Sequence, residues 1–297
     1  MRCLVTGGAG FIGSNLVDEL LNLDHEVIVI DNESSSAHEK FYWNENATNY
    51  KYDICKYDTI RHLFTDIDIV FHLAAESRIQ STIHDPAYAL TVNTIGTCNI
   101  LQASREGGVK RVIYSSTSAA YGLRNTPPLR ESMPRDCLNP YSISKCAGED
   151  LCKMYTDLYG LETVTFRYFN VYGNRQPLRG QYAPVVGLFM RQKAAGLPMT
   201  IMGSGTQRRD FTNVSDVVAA NILAANLENK RPVGQLINIG TGKNYSVVEL
   251  AELIGGEYTF VPPRPAEAKV SLADNTKAKS LLNWDPKIEL EDWLRNE

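Results

Sequence analysis

The chain has no C-x-x-C pair, although it carries six cysteines, at 3, 55, 98, 137, 146 and 152. Scattered in this way they exclude a paired-thiol redox motif and the clustered ligands of a structural zinc site. They read as small apolar residues of a reducing compartment. The five histidines are equally dispersed. There is no run of lysine and arginine, and the net charge is −4, so nucleic acid and anionic membrane find little to hold. No stretch approaches the roughly 20 apolar residues of a membrane-spanning helix. Met1–Thr6 leads straight into glycines, with no apolar leader segment and small-residue cleavage site. A cytoplasmic protein with no metal, membrane or nucleic-acid partner is expected. Internal repeats, low-complexity tracts and flexible linkers are also missing. What is present is 297 residues, 43% hydrophobic and 22% charged, enough for one large domain or two closely packed ones.

Hydrophobic periodicity predicts an α/β fold. Residues 2–6 and 26–31 are short β-rich runs, and Ile12, Leu16, Leu20 and Leu23 give 11–23 a helical stripe between them. Ile69–Leu73 is a continuous apolar run, as a strand buried on both faces should be. A long helix over 88–105, a strand over 109–115, a helix over 140–159 and a strand over 163–167 follow. This alternation means a doubly wound parallel sheet with right-handed crossovers. After about residue 170 turn residues cluster, a helix is expected over 182–195, and Pro262-Pro263-Arg264-Pro265 forms a stiff connector. The division expected is a dinucleotide-binding domain over 1–170 and a smaller α/β substrate lobe over 171–297. Segments near 214–240, a helix over 214–227 and a strand over 236–239, return to the main sheet.

Gly7-Gly8-Ala9-Gly10-Phe11-Ile12-Gly13 contains both G-x-x-G-x-x-G and G-x-G-x-x-G, between a strand and a helix. The early glycines admit a pyrophosphate, Gly13 lets the helix pack on the strand, and the helix amino terminus faces the phosphates. Asp31 ends the second strand, where a carboxylate accepts bonds from the adenosine ribose hydroxyls and repels a 2′-phosphate. The following Asn32-Glu33-Ser34-Ser35-Ser36 offers no arginine to receive one, so NAD is expected rather than NADP. Asp53-Ile54 lies where an adenine-edge contact can fall, or serves as an ordinary strand-end turn.

Tyr141 and Lys145 stand four apart after Pro140, which suits the first turn of a helix. They share a face. A cation beside a phenol lowers its pKa from about 10 and makes it a general base near neutral pH.

These motifs, with His72-Leu73-Ala74-Ala75, Asn93-x-x-Gly96-Thr97-x-Asn99, Tyr114-Ser115-Ser116-Thr117, Arg167-Tyr168-Phe169-Asn170-Val171-Tyr172-Gly173, Arg209-Asp210-Phe211 and Leu282-Asn283-Trp284-Asp285-Pro286, come in a familiar order. The whole chain resembles the extended short-chain dehydrogenase/reductases, specifically the NAD-dependent nucleotide-sugar epimerases and dehydratases. The resemblance implies a Rossmann-type sheet. It implies transient oxidation of the sugar, with Tyr141 taking the 4′-hydroxyl proton as hydride passes to the nicotinamide, and hydride return to the other face of the 4-keto sugar. Lys145 holds the nicotinamide ribose, and Thr117 shares the 4′-hydroxyl, with Ser116 a weaker candidate. Phe11, Ile12, Asn32, Asp53, Ile54, Leu73, Ala74, Ala75, Asn93, Ser115 and Tyr168 join the glycines and Asp31 as cofactor contacts. Asn170, Arg209, Arg264 and Ser271 fall on the nucleotide-sugar side, where arginine's planar fork suits a pyrophosphate.

Departures from the family pattern narrow the reaction. Dehydratase relatives place an acidic residue directly after the threonine, whereas Ser118-Ala119 follows Thr117 here. That favours 4-epimerisation over 4,6-dehydration or decarboxylation. Fucose-synthase-type reductases carry a cysteine in this segment, and this chain does not. Arg264-Pro265-Ala266-Glu267 replaces the usual Arg-x-Gly-Asp. A small residue at Ser271, a gatekeeper position, and the segment Gly180–Val185 resemble the enzymes that accept N-acetylhexosamines. UDP-GlcNAc/UDP-GalNAc is therefore the pair expected, ahead of UDP-Glc/UDP-Gal. A homodimer through a four-helix bundle of the helices near 88–105 and 140–159 is implied. A non-catalytic dinucleotide sensor is the remote alternative, since such proteins commonly lose the tyrosine–lysine pair.

Overall fold

The computed structural model describes residues 1–35, 38, 40–178, 184–263 and 268–296. Its centre is a seven-stranded sheet. β1 (Arg2–Thr6), β2 (Glu26–Ile30), β3 (Thr48–Tyr50), β4 (Ile69–His72), β5 (Arg111–Thr117) and β6 (Glu162–Tyr168) are joined by a strand at Gln235–Ile239. The order is Gln235–Ile239, β6, β5, β4, β1, β2, β3, and every pairing is parallel. β4 and β5 are buried along their whole length, which is why β4 reads as an apolar run without alternation.

Apolar clusters cover both faces. On one, Leu16, Val17 and Leu20 of the Phe11–Asn22 helix pack with Val217 and Trp284 against Val5, Phe71 and Phe166. On the other, Phe64, Ile100, Leu101 and Tyr155 pack against Leu4, Val70 and Val112. A third cluster, around Phe189, Met199, Ile201 and Leu250, lies in the carboxy-terminal half beneath the parallel strands Met199–Met202 and Tyr258–Val261.

Most elements fall where periodicity places them, and the exceptions have local causes. The strand expected over 109–115 runs from Arg111 to Thr117. Gly108 closes the preceding helix in a left-handed conformation (φ 74°), and the Val109 amide donates to the Ser104 carbonyl, so the chain enters the sheet two residues later. The helix expected over 88–105 starts at Pro86, where Asp85 accepts from the Tyr88 amide, and continues to Gly107 through a π-turn at Thr91–Gly96. β3 gives no apolar signal because it is an exposed edge strand. The helix expected over 182–195 runs from Val185 to Ala194, residues 182 and 183 lying outside the described residues, and that over 214–227 ends at Ala224. Among the described residues no helix is long and apolar enough to cross a membrane.

β1 lies between β2 and β4, so the crossovers leave it in opposite directions. A crevice opens at the carboxyl ends of β1 and β4, where this topology places ligands.

Candidate active site

A cavity of about 360 Å³ occupies that crevice. Its floor is the turn after β1, with Gly7, Gly10, Phe11, Ile12 and Gly13 on the wall. Asp31 and Asn32 after β2, Ile54, and Leu73, Ala74 and Ala75 after β4 line one end. Ser115, Thr117, Tyr141, Lys145, Tyr168 and Asn170 line the other.

The glycine turn is fixed by close contacts. Gly7 adopts a left-handed conformation (φ 70°), and its amide donates to the Ile30 carbonyl at 2.8 Å. A Cβ on Gly13 would lie 2.1 Å from the Gly7 carbonyl oxygen. The Asp31 carboxylate accepts from the amides of Ala9 at 3.2 Å and Glu33 at 2.8 Å, locking the turn against β2. Burial nevertheless raises its pKa, those two amides opposing the shift. A backbone cradle at a helix amino terminus with a carboxylate at the end of the next strand fits a dinucleotide with free ribose hydroxyls.

Tyr141 and Lys145 sit on a helix built to hold them still. Asn139 caps Pro140–Tyr159 by accepting from the Ser142 amide at 2.9 Å, Ser142 answers with its hydroxyl, and Gly160 ends the helix at φ 71°. The Thr117 hydroxyl accepts from the Ala119 amide at 3.1 Å, lines the cavity beside Tyr141, and is among the groups that hold the Tyr141 pKa down. It thus serves the strand end and the cavity together. Lys145 is buried, its ammonium 4.3 Å from the Tyr114 ring centroid.

The electrostatics correct one expectation. Burial raises the Tyr141 pKa above the usual 10, and the contributions that oppose it come from the Thr117 hydrogen bond and the charge of Arg78, with Glu76 adding to the rise. Burial also pulls Lys145 down to about 7, against the raising charges of Cys152 and Glu149. Desolvation therefore sets the direction at both groups, and Lys145 is not among the charges that act on the phenol, contrary to the expectation from their spacing. His72, of the His72–Ala75 motif, is pushed by burial, then by the Lys145 charge, to about 3. As neutral imidazole it bridges the hydroxyls of Thr6 at 2.7 Å and Thr97 at 2.9 Å, tying β1 and β4 together.

Other expected residues are engaged by groups beside them. Asp53 lies off the cavity wall and accepts from the Cys55 amide at 2.9 Å, leaving Ile54 to face the cavity. Asn93 is buried and spends its amide on the Glu76 backbone and the Ser144 hydroxyl. Ser116 is on the cavity wall, and its hydroxyl donates to Glu149 at 2.6 Å. Arg209 donates to the Arg208 carbonyl at 2.9 Å, and the Ser271 amide donates to that same carbonyl at 2.9 Å, which makes the two candidates neighbours. Asp210, next to Arg209, is buried and accepts from the amides of Thr241, Gly242 and Ala273. Arg264 lies outside the described residues. Sequence reading missed Arg78, a wall residue whose charge reaches Tyr141 and His38. It belongs to no recurring motif, and only the fold of the loop after β4 brings it there.

Comparison with known proteins adds the following. The model of the NAD dependent epimerase/dehydratase family matches residues 3–240. A UDP-glucose 4-epimerase of Mycolicibacterium smegmatis is 37% identical, over 99% of this chain and 96% of its own length. The structure of a Thermotoga maritima UDP-glucose 4-epimerase with UDP-glucose superposes with a TM-score of 0.93 at 38% identity, covering 99% of this chain and 96% of that one. A Methanobrevibacter ruminantium UDP-N-acetylglucosamine 4-epimerase in complex with UDP-N-acetylmuramic acid gives 0.92 at 34%, covering 99% and 96%.

Proposed function

Because this chain belongs to the NAD dependent epimerase/dehydratase family, we propose that it is a UDP-sugar 4-epimerase acting through a 4-keto sugar. One observation carries the reading. Thr117 and Tyr141 share the wall of one cavity with the glycine cradle, and the residues after Thr117, Ser118 and Ala119, offer no carboxylate for elimination. NAD supplies the hydride acceptor and donor when bound. The chain's own residues move the proton. Tyr141 takes it from the 4′-hydroxyl and later returns it, and Thr117 holds that hydroxyl toward the phenol. Arg78 supplies positive charge that opposes the effect of burial on the phenol, and Lys145, one helical turn from Tyr141, holds the nicotinamide ribose. Gly7, Gly10, Phe11, Ile12, Gly13 and Asp31 hold the dinucleotide.

Asn170 and Arg209 face the sugar nucleotide, and the preferred pair is UDP-GlcNAc/UDP-GalNAc, with UDP-Glc/UDP-Gal also accepted. The support is Ser271, a small residue beside Arg209. Incubation of the purified protein with UDP-GlcNAc, UDP-Glc and UDP-GlcA separately, followed by NMR of the sugar 4′ position, should show an epimer growing fastest from UDP-GlcNAc. No epimer from any of the three would refute the assignment. A UV-absorbing 4-keto product released into solution would indicate a dehydratase instead.

The working unit proposed is a homodimer. Ile143, Met154 and Leu158 fall at helical spacing on the outer face of Pro140–Tyr159, with Ile143 51% and Leu158 65% exposed, and Leu90 and Ile95 are exposed on the preceding helix. Such a stripe suits a four-helix bundle with a second copy. Sedimentation should show two chains per particle for the native protein and one for Leu158→Glu. A native monomer at micromolar concentration would remove the proposal.

A further inference from the structure

A buried charge cluster lies directly behind Thr117 and Tyr141 and takes no part in the proton transfer proposed above. Glu149 is 5% exposed and Arg167 1%. One Glu149 carboxylate oxygen accepts from the Ser116 hydroxyl at 2.6 Å and from Arg167 Nε at 2.8 Å. The other accepts from Arg167 Nη2 at 2.7 Å and pairs with Arg135 at 3.0 Å. The Arg167 guanidinium also lies 4.5 Å from the Tyr121 ring centroid.

Each member sits next to a candidate catalytic position. Glu149 is one turn beyond Lys145 and two beyond Tyr141 on the same helix. Ser116 immediately precedes Thr117 on β5, and Arg167 is its registered partner on β6. Taking two charges out of water costs several kcal/mol each, and apolar residues of the same volume commonly stabilise a fold as well or better. Stability alone is therefore a poor account of this pair. A carboxylate does what an apolar side chain cannot: it fixes the direction of the Ser116 hydroxyl and so joins the exit of β5 to the helix that carries the phenol.

We propose that Glu149, acting through Ser116 and Arg167, is a positioning residue that sets the distance between the Thr117 hydroxyl and the Tyr141 phenol. Proton transfer tolerates little error in that distance, and a misplacement of about 1 Å costs on the order of 10²-fold in rate. The inference rests on the roles given to Thr117 and Tyr141 above, so one of its readouts is independent of turnover.

The variants are Glu149→Gln, Ser116→Ala and the double replacement Glu149→Met with Arg167→Met, all studied as the NAD-loaded protein. The double variant leaves no unpaired buried charge and is expected to fold. The first readout is turnover per NAD-loaded chain. In Glu149→Gln and the double variant kcat should fall about 10- to 100-fold with KM for the UDP-sugar within threefold, and Ser116→Ala should show a smaller loss of the same kind. The second readout is the titration of ¹³Cζ-labelled tyrosine, with Tyr141 assigned by its absence in Tyr141→Phe. Drawing the Thr117 hydroxyl away from the phenol should move the Tyr141 titration to higher pH. Loss of the Glu149 charge also withdraws support from the Lys145 ammonium, so the deciding titration is that of Ser116→Ala, which keeps every charge and can move Tyr141 only through position. The charged groups that act on the phenol, Arg78 and Glu76 from the loop after β4, are unchanged in these variants. Folded variants with kcat within threefold and an unmoved or lowered Tyr141 titration would overturn the proposal. Should the wild type form no epimer, the titration still decides it, because it reads the Thr117–Tyr141 contact directly.

Discussion

Tyr141→Phe should retain NAD and lose turnover by about 10²- to 10⁴-fold, the usual worth of a positioned acid–base group. At about 1.36 kcal/mol per decade this is a barrier increase of about 2.7 to 5.4 kcal/mol. The phenyl ring keeps the packing of the first helical turn, and the capping by Asn139 and Ser142 does not involve the phenol. Only the hydroxyl is lost. KM should change little, because the phenol's work is done in the transition state. The comparison to make is kcat per NAD-loaded chain beside the NAD content of the purified protein. A near-normal rate would refute the assigned base. A variant that loses both NAD and turnover would mean the phenol is needed for the site's structure instead. The wild-type pH dependence carries the same argument. Burial holds the phenol above its ordinary value, so kcat/KM should rise with pH on the acid side, and Tyr141→Phe should abolish that limb.

Gly13→Ala should give a folded but NAD-free protein whose turnover is lost with the cofactor. The added Cβ would lie 2.1 Å from the Gly7 carbonyl oxygen and 2.8 Å from both Gly7 C and Gly8 Cα. These are backbone atoms that no rotamer change can move aside. The turn itself is pinned, Gly7 to the Ile30 carbonyl and Ala9 to Asp31. Either the Phe11–Asn22 helix tilts off β1 or the cradle opens, and both move the amide groups that would hold the pyrophosphate. Forcing one extra carbon into a packed site costs about 1–3 kcal/mol of stability, and the stabilisation normally gained from bound cofactor disappears with it. Calorimetric titration should show NAD affinity weakened at least 100-fold, the equivalent of about 2.7 kcal/mol. The melting temperature of the variant should no longer respond to added NAD. A variant that purifies with cofactor at native stoichiometry would show that the cradle is not the binding site.

The features legible in the sequence are those whose physics is local. A glycine turn between a strand and a helix requires its glycines wherever the rest of the chain goes. A tyrosine and a lysine four apart after Asn139-Pro140 share a helical face by geometry alone. The apolar run at β4 announces a sheet buried on both sides. These determined the sheet, the dinucleotide crevice and most of its wall, from Gly7 to Tyr168.

What only the tertiary structure decided depends on residues far apart in the chain meeting at a particular depth. Burial raised the Tyr141 pKa where a lowering by Lys145 was expected, because desolvation depends on what covers a group and four-residue spacing says nothing of that. The loop after β4 brought Arg78 to the cavity, while Asn93 and Asp53 turned to backbone groups beside them. Ser116 and Thr117 are adjacent, chemically alike and both on the cavity wall, yet the Ser116 hydroxyl is spent on Glu149 while the Thr117 side chain is the one that acts on Tyr141. Alternation along a strand fixes that the two side chains point apart, and only the packed helix and neighbouring strand decide which of them meets the phenol.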